Sequence, residues 1–385
     1  MIDISHIINN FISQKASDLF LTHGFPASMK IDGKIYALTD RPLTDEDLDL
    51  CMEELLNDEQ KDDFESTLEL NCSKVWGEGS EQFESRLRIN AYRQQLHNAF
   101  TIRRISRDIP TINELLLPEL YHNLIMEKRG LVLVVGQTGS GKSTSLASMI
   151  QHRNLNGSGH IITIEDPIEY VHHHHKCIIS QRDVGIDTYS YGMALKNALR
   201  QTPDVILIGE IRDREIMEHS ISFAETGHLC VSTLHSNNAV QALERILNFF
   251  PIESHRQVLA NLSFNLRGIV SQRLVENREG TRTPVVEVVL NEGLITDLIH
   301  DGDIGSIKEV VEQNSHLGMQ TFDQDLVRLY KAGIISDEVA IREADSKTNV
   351  RLKLKQLKSS TRFDSISHGT PDLQTASPAA PQSDF

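Results

Sequence analysis

The sequence predicts an α/β protein in two units: a smaller α+β unit, then a larger one built on a mainly parallel sheet. Three observations carry this. Up to about residue 108, short strands alternate apolar with polar residues among hairpin signals. From about residue 112, nearly continuous apolar strands are separated by helix-length stretches. And 385 residues are more than one domain of ordinary size requires.

The elements follow in chain order. Ile4, Ile7, Ile8, Phe11 and Ile12 share one helical face. Segments 17–22 and 29–36 read as strands, and Asp32-Gly33 marks a tight hairpin. Thr44 ahead of Asp45, Glu46 and Asp47 caps a helix, because its hydroxyl meets free N–H groups and the acids suit the positive end of the dipole. Residues 83–92 alternate strictly. Phe83, Ser85, Leu87, Ile89 and Ala91 lie on one face, and Glu84, Arg86, Arg88, Asn90 and Tyr92 on the other. This first unit closes near Arg107-Asp-Ile-Pro110. Strands at 131–135, 160–164, 205–208 and 229–233 form the sheet of the second. Past Lys358 the chain turns to Ser, Pro, Ala, Thr and Gln, too poor in large apolar groups to offset its ordering entropy. The expected organisation is 1–108, a linker at 109–115, a second domain over 116–352 with a helical C-terminal part, and a mostly disordered tail over 353–385.

Composition excludes several functions. Hydrophobic residues make up 39% and the net charge is −16, which opposes affinity for phosphate backbones, so no nucleic-acid partner is expected. No apolar run approaches the roughly 20 residues of a membrane span, so no transmembrane segment is expected. Met1–Asn10 lacks the basic start of a signal peptide. Cys51, Cys72, Cys177 and Cys230 form no C-x-x-C pair, which argues against a zinc ribbon and for reduced thiols in a cytoplasmic protein.

The chemistry begins at Gly136-Gln137-Thr138-Gly139-Ser140-Gly141-Lys142-Ser143, followed by Thr144: G-x-x-x-x-G-K-[ST] between an apolar strand and a helix. Glycines let backbone N–H groups curl around phosphate oxygens, Lys142 neutralises the β- and γ-phosphates, and the Ser143 hydroxyl suits Mg²⁺. The cofactors implied are ATP and Mg²⁺. Glu165 ends an apolar strand, where it can orient or deprotonate a water attacking the γ-phosphate, with Glu169 as the weaker candidate. The strand 205–208 leads to Gly209-Glu210. Glycine stands where a Mg²⁺-binding Asp is common, so Glu210 is expected to handle the ion, partly through water. His228 and His235 bracket a strand roughly 23 Å long, too far apart to share a metal. His172–His175 reads as a solvated loop. Arg86, Arg88, Arg103 and Arg104 gather guanidinium groups that could stabilise transferring phosphate across an interface.

Together these segments resemble the secretion-type traffic ATPases, and among them the type IV pilus retraction ATPases (the PilT/PilU family), over about residues 1–350. The likeness rests on Ser17-Asp-Leu-Phe-Leu with Met29-Lys-Ile-Asp-Gly33, the P-loop, the acidic box Thr163–Glu169, the run Leu199–Asp213 and the histidine box Glu225–His235. It implies a PAS-like N-terminal domain, a RecA-like ATPase domain and a homohexamer with nucleotide between subunits. It implies Glu165 as catalytic acid, Glu210 as Walker B glutamate, His228 and His235 as histidine-box residues, and Arg86, Arg88 and Arg103 as arginines reaching the nucleotide. Phe322–Lys331 and Ser336–Ala344 stand where the principal retraction ATPases carry an Ala-Ile-Arg-Asn-Leu-type motif, a pattern of the accessory branch. The activity implied is ATP-driven pilus retraction in twitching motility. Its partners would be a second retraction ATPase and the cytoplasmic face of the inner-membrane platform. The alternatives are the principal retraction ATPase itself, or a ring scaffold that binds ATP and hydrolyses little.

Overall fold

The computed structural model describes residues 2–31, 33–77, 85–105 and 108–367, with side chains to 358. Phe83, Glu84, Arg107, the Asp32 half of the expected hairpin turn, and the last part of the expected tail lie outside these residues.

The first unit is a six-stranded antiparallel sheet of β1 (Asp18–Thr22), β2 (Ser28–Ile31), β3 (Lys34–Ala37), β4 (Glu69–Trp76), β5 (Ser85–Gln94) and β6 (His97–Ile105), in the order β3-β2-β1-β6-β5-β4. Ile31 pairs with Lys34, the register a two-residue turn imposes. Helices Ile4–Ser13, Asp45–Leu55 and Asp58–Thr67 complete the unit. Ile8, Phe11, Leu48 and Phe64 from these helices join Leu19, Leu87, Ile89, Phe100 and Ile102 of the sheet in one core.

β5 alternates as expected, with its odd-numbered residues from Ser85 to Ala91 buried and Arg86, Arg88 and Asn90 on the open face. On that face Asp18, Arg103, Arg88 and Ser73 stand in register across four strands. Arg103 Nε donates to Asp18 Oδ1 at 2.9 Å, while Arg88 directly opposes Arg103. Like charges facing each other across a sheet are unfavourable without an anion between them.

The second unit is a seven-stranded sheet: β7 (Gly130–Val135), β8 (Gly159–Glu165), β9 (Cys177–Asp183), β10 (Val205–Ile208), β11 (Leu229–Leu234), β12 (Leu266–Glu276) and β13 (Arg282–Leu290). Their order is β13-β12-β7-β11-β10-β8-β9, all neighbours parallel except the β12–β13 hairpin. The four strands read from the sequence are all present. β9 is missed there because four of its seven residues are polar, as suits an edge. Helix Lys142–Asn156 follows β7 directly. The segment 109–115 is packed rather than free: Ile112 is buried in the large core, and Ser148 Oγ donates to the Pro110 carbonyl. Helices Phe322–Lys331 and Asp337–Glu343 pack on the β12–β13 hairpin. The helix Lys347–Ser367 continues past 353, so order extends further than composition suggests; Val350 and Leu354 anchor its start. Residues 368–385 lie outside the description.

Thr44 caps its helix as expected, but the larger stabilising element is Asp47. Its carboxylate accepts from both Nη atoms of Arg41 (2.6 and 3.0 Å) and from the backbone N–H groups of Thr44 and Ile2. The Arg41 pairing, foremost, holds its pKa well below the usual carboxylate range. Asp47→Ala strands several donors at once, so chemical denaturation should show a loss on the order of 2 kcal/mol. A change within a few tenths of a kcal/mol would show that solvent replaces those bonds freely.

Candidate nucleotide site

Parallel pairing brings four strand ends to one edge of the sheet. Val135 stands beside Leu234, and Ile208 between Ser232 and Ile164. The segments that follow line one cavity of about 260 Å³. Its walls include Thr138, Gly139, Lys142 and Ser143 of the P-loop, Glu165 and Glu169, Glu210 and Arg212, and His235.

The loop keeps its shape through glycine and through a residue far away in sequence. Gly139 and Gly141 have φ of +77° and +87°. A Cβ on Gly141 would lie 2.8 Å from Gln272 Nε2. Gln272, on β12, donates to the Ser140 carbonyl (2.9 Å) and accepts from Ser145 Oγ (2.7 Å), tying loop and helix to the sheet. Sequence reading missed it, since a lone glutamine in an apolar strand carries no motif. Lys142 Nζ donates to the carbonyls of Gly136 and Gln137 at 2.8 and 2.9 Å. Burial lowers its pKa. Ser140 Oγ is buried and has no hydrogen-bond partner among the described residues. A tethered cation and a helix N-terminus facing one cavity fit a polyphosphate.

Glu165 accepts from Thr163 Oγ1 at 2.7 Å and from Gln181 Nε2 at 3.4 Å. Burial pushes its pKa up to about 7, and the charge of Glu169 adds to the shift. A carboxylate poised near neutrality suits a general base. Glu210 accepts from Arg212 Nε at 2.9 Å and pairs with His235 Nε2 at 3.1 Å. Arg212 also reaches Asp166 at 3.0 Å. Its bridging role has no sequence signal beyond its place two residues after Glu210. Gly209 is explained by space: a Cβ there would lie 3.0 Å from Tyr191 Oη and 3.2 Å from Glu165 Cα. A side chain there would crowd both neighbours, and the Ser143 hydroxyl and Glu210 carboxylate, which line the cavity, are oxygen donors that suit Mg²⁺.

The remaining candidates lie elsewhere in the single chain. His228 sits at the far end of β11, with Nδ1 3.1 Å from Thr226 Oγ1. Arg88 and Arg103 line a separate cleft of about 230 Å³ on the open face of the first sheet. Arg86 lies 3.9 Å from Asp183 and 3.8 Å from Asp187. Asp183 is the register partner of Glu165, so Arg86 stands just outside the cavity. The solvated-loop reading holds for His173–His175, which are exposed, but not for His172. That side chain lines the cavity, its backbone N–H donates to Gln181 at 2.7 Å, and burial pulls its pKa down to about 4.

A P-loop at the carboxyl edge of a mainly parallel sheet, with two acids across the cavity, defines a nucleotide-hydrolysing enzyme of the P-loop class. The chain belongs to the type II/IV secretion system protein family, whose model matches residues 105–320. It is 47% identical over 372 residues to the type IV pilus ATPase PilU of Pseudomonas aeruginosa, covering 96% of each chain. It is 37% identical over 343 residues to the pilus retraction ATPase PilT of the same organism, covering 89% of this chain and 98% of that one. A crystal structure of the pilus retraction motor PilT with bound ADP superposes with a TM-score of 0.82 at 38% identity, over 90% of this chain and 98% of that one. The activity is ATP hydrolysis. Among the described residues no helix is long and apolar enough to cross a membrane.

The raised pKa of Glu165 has a sign in stability. Between about pH 4.5 and 7 the folded chain holds a proton that the unfolded chain has released, so this group's contribution falls as pH rises through that window. Glu165→Gln has no such proton to lose. Nucleotide-free thermal unfolding should therefore show the variant gaining on wild type between about pH 5 and about pH 8. A constant difference between the two melting curves would remove the burial argument.

Proposed function

We propose that this chain is an ATP-driven motor of type IV pilus retraction that works as accessory to a principal retraction ATPase. One observation carries the reading: 47% identity along 96% of both chains to a type IV pilus ATPase named PilU. The cavity supports it, holding the loop, base candidate and cation-binding acid that hydrolysis needs. The motor is a homohexamer, docked from the cytoplasm on the pilus platform in the inner membrane and paired with a second ATPase of its family.

In the mechanism, Lys142 leaves the Gly136 and Gln137 carbonyls for the β- and γ-phosphates, and the loop N–H groups hold the remaining oxygens. Glu165 takes a proton from water aligned with the γ-phosphate, and Thr163 and Gln181 fix its direction. Ser143 and Glu210 would hold Mg²⁺, which would neutralise charge on the phosphates. Arg212 and His235 orient Glu210. The opposed Arg88 and Arg103 find their anion in the nucleotide of a neighbouring subunit, with Arg86 released from Asp183 and Asp187.

Lys142→Ala should abolish hydrolysis, a loss of at least about 10³-fold in kcat, because the cavity's other cation, Arg212, is held by Asp166 and Glu210. A purified variant ring with a substantial share of wild-type ATPase would contradict the site. The shared site is tested by mixing it with Arg86→Ala/Arg88→Ala protein. Mixed rings should regain part of the activity that neither variant has alone, and an active double variant would take the arginines out of catalysis. The cellular role is decided by retraction with and without this protein, in cells that keep or lack a second such ATPase. Full retraction in its absence in both backgrounds refutes it; rescue by Lys142→Ala protein favours the ring scaffold.

A further inference from the structure

Away from the nucleotide, His23, Asp45 and His97 meet at one end of the first sheet. Three separate constraints fix their backbones. His23 follows β1 and forms an isolated bridge with Leu43. Asp45 opens the helix capped by Thr44. His97 opens β6 after a two-residue turn whose register, Gln94 opposite His97, is set by the hairpin. That turn places two residues other than glycine in the left-handed region, Gln95 at φ +48° and Leu96 at +73°, and such backbone persists only where its surroundings demand it.

The side chains converge, with His23 and Asp45 exposed and His97 half-buried. The two imidazoles stack with centroids 3.8 Å apart and planes 4° from parallel. Both present a nitrogen to the same oxygen: His97 Nδ1 lies 2.7 Å from Asp45 Oδ1, and His23 Nε2 lies 3.9 Å from it. Hydrogen bonding satisfies only the first of these contacts. A cation with bonds of about 2 Å satisfies all three side chains once the rings tilt about χ2, a soft torsion. The donor set, two imidazole nitrogens and one carboxylate oxygen, selects a borderline ion over Mg²⁺ or Ca²⁺.

We propose that His23, Asp45 and His97 form a Zn²⁺ site, with water in the fourth position, which clips the end of β1, the helix Asp45–Leu55 and the start of β6 together. Among the described residues this is the single cluster of its kind, and it shares no residue with the nucleotide cavity.

The test uses the full chain, stripped of metal and free of nucleotide, titrated with Zn²⁺ against a chromophoric chelator. His97→Ala and Asp45→Asn should each lose one Zn²⁺ per chain or bind it at least about tenfold more weakly. Zn²⁺ should also raise the melting temperature of wild type more than that of either variant, since an ion that binds only the folded form stabilises it. Asp45→Asn leaves the Thr44 cap in place, so it reports on the ligand if His97→Ala unfolds. The exposed tract His173–His175 is the competing source of affinity. Replacing its three histidines with alanine should leave the tight ion bound, and loss of that ion there, with none in His97→Ala, overturns the proposal. Unchanged stoichiometry and affinity in both ligand variants overturn it equally.

Discussion

The site depends on the parallel register of β7, β11, β10 and β8. Strands that run the same way end on the same side, so the P-loop, Glu165, Glu210 and His235 emerge at one edge without any long-range contact being arranged for them. A slip of one residue in β8 would turn Glu165 to the opposite face, because side chains alternate along a strand. The apolar content of these strands is therefore also what aims the groups that line the cavity. Gln272 completes the arrangement from a fourth direction: by holding Ser140 and Ser145 it stops the loop from lifting off the sheet that positions everything else.

What was legible in the sequence was what local chemistry decides. The isoleucine face of the first helix, the Thr44 cap, the two-residue hairpin and the four apolar strands could be read because each is fixed by residues within a few positions of one another. The places of the P-loop, Glu165 and Glu210 beside one cavity could be read because a strand that ends in a polar group is a local pattern. Gln272, Gln181 and Arg212 could not, since each acts through partners that only tertiary structure supplies: Gln272 lies 132 positions from Ser140. His172 belongs with these. Its three neighbours in sequence are exposed, while its backbone bond to Gln181 and its ring contact with Gln151 turn it inward. The reach of the last helix was also illegible from composition, because Val350 and Leu354 are too few to register as an apolar face until the helices they pack against are in place.

The two sheets divide the work of handling charge. The nucleotide domain holds a lysine and backbone N–H groups, a cradle for phosphate that is complete in one chain. The first sheet keeps its cations on an open face, where Asp18 neutralises Arg103 but leaves Arg88 facing a like charge. Such a face is costly in isolation and favourable beside an anion, so its stability is tied to what it touches.

The cavity mouth carries a kinetic consequence. Glu165, Asp166, Glu169 and Glu210 all border it, in a chain of net charge −16. An incoming nucleotide polyanion meets repulsion at long range before it meets Lys142 and the loop at short range. Diffusional capture is thus slower than for a cavity of the same shape with a neutral rim, and added salt, by shortening the reach of that repulsion to about one Debye length, speeds the encounter instead of slowing it. Arg212, pinned between Asp166 and Glu210, offsets part of the barrier, so the same guanidinium that pairs with an acid also sets how often the cavity is loaded.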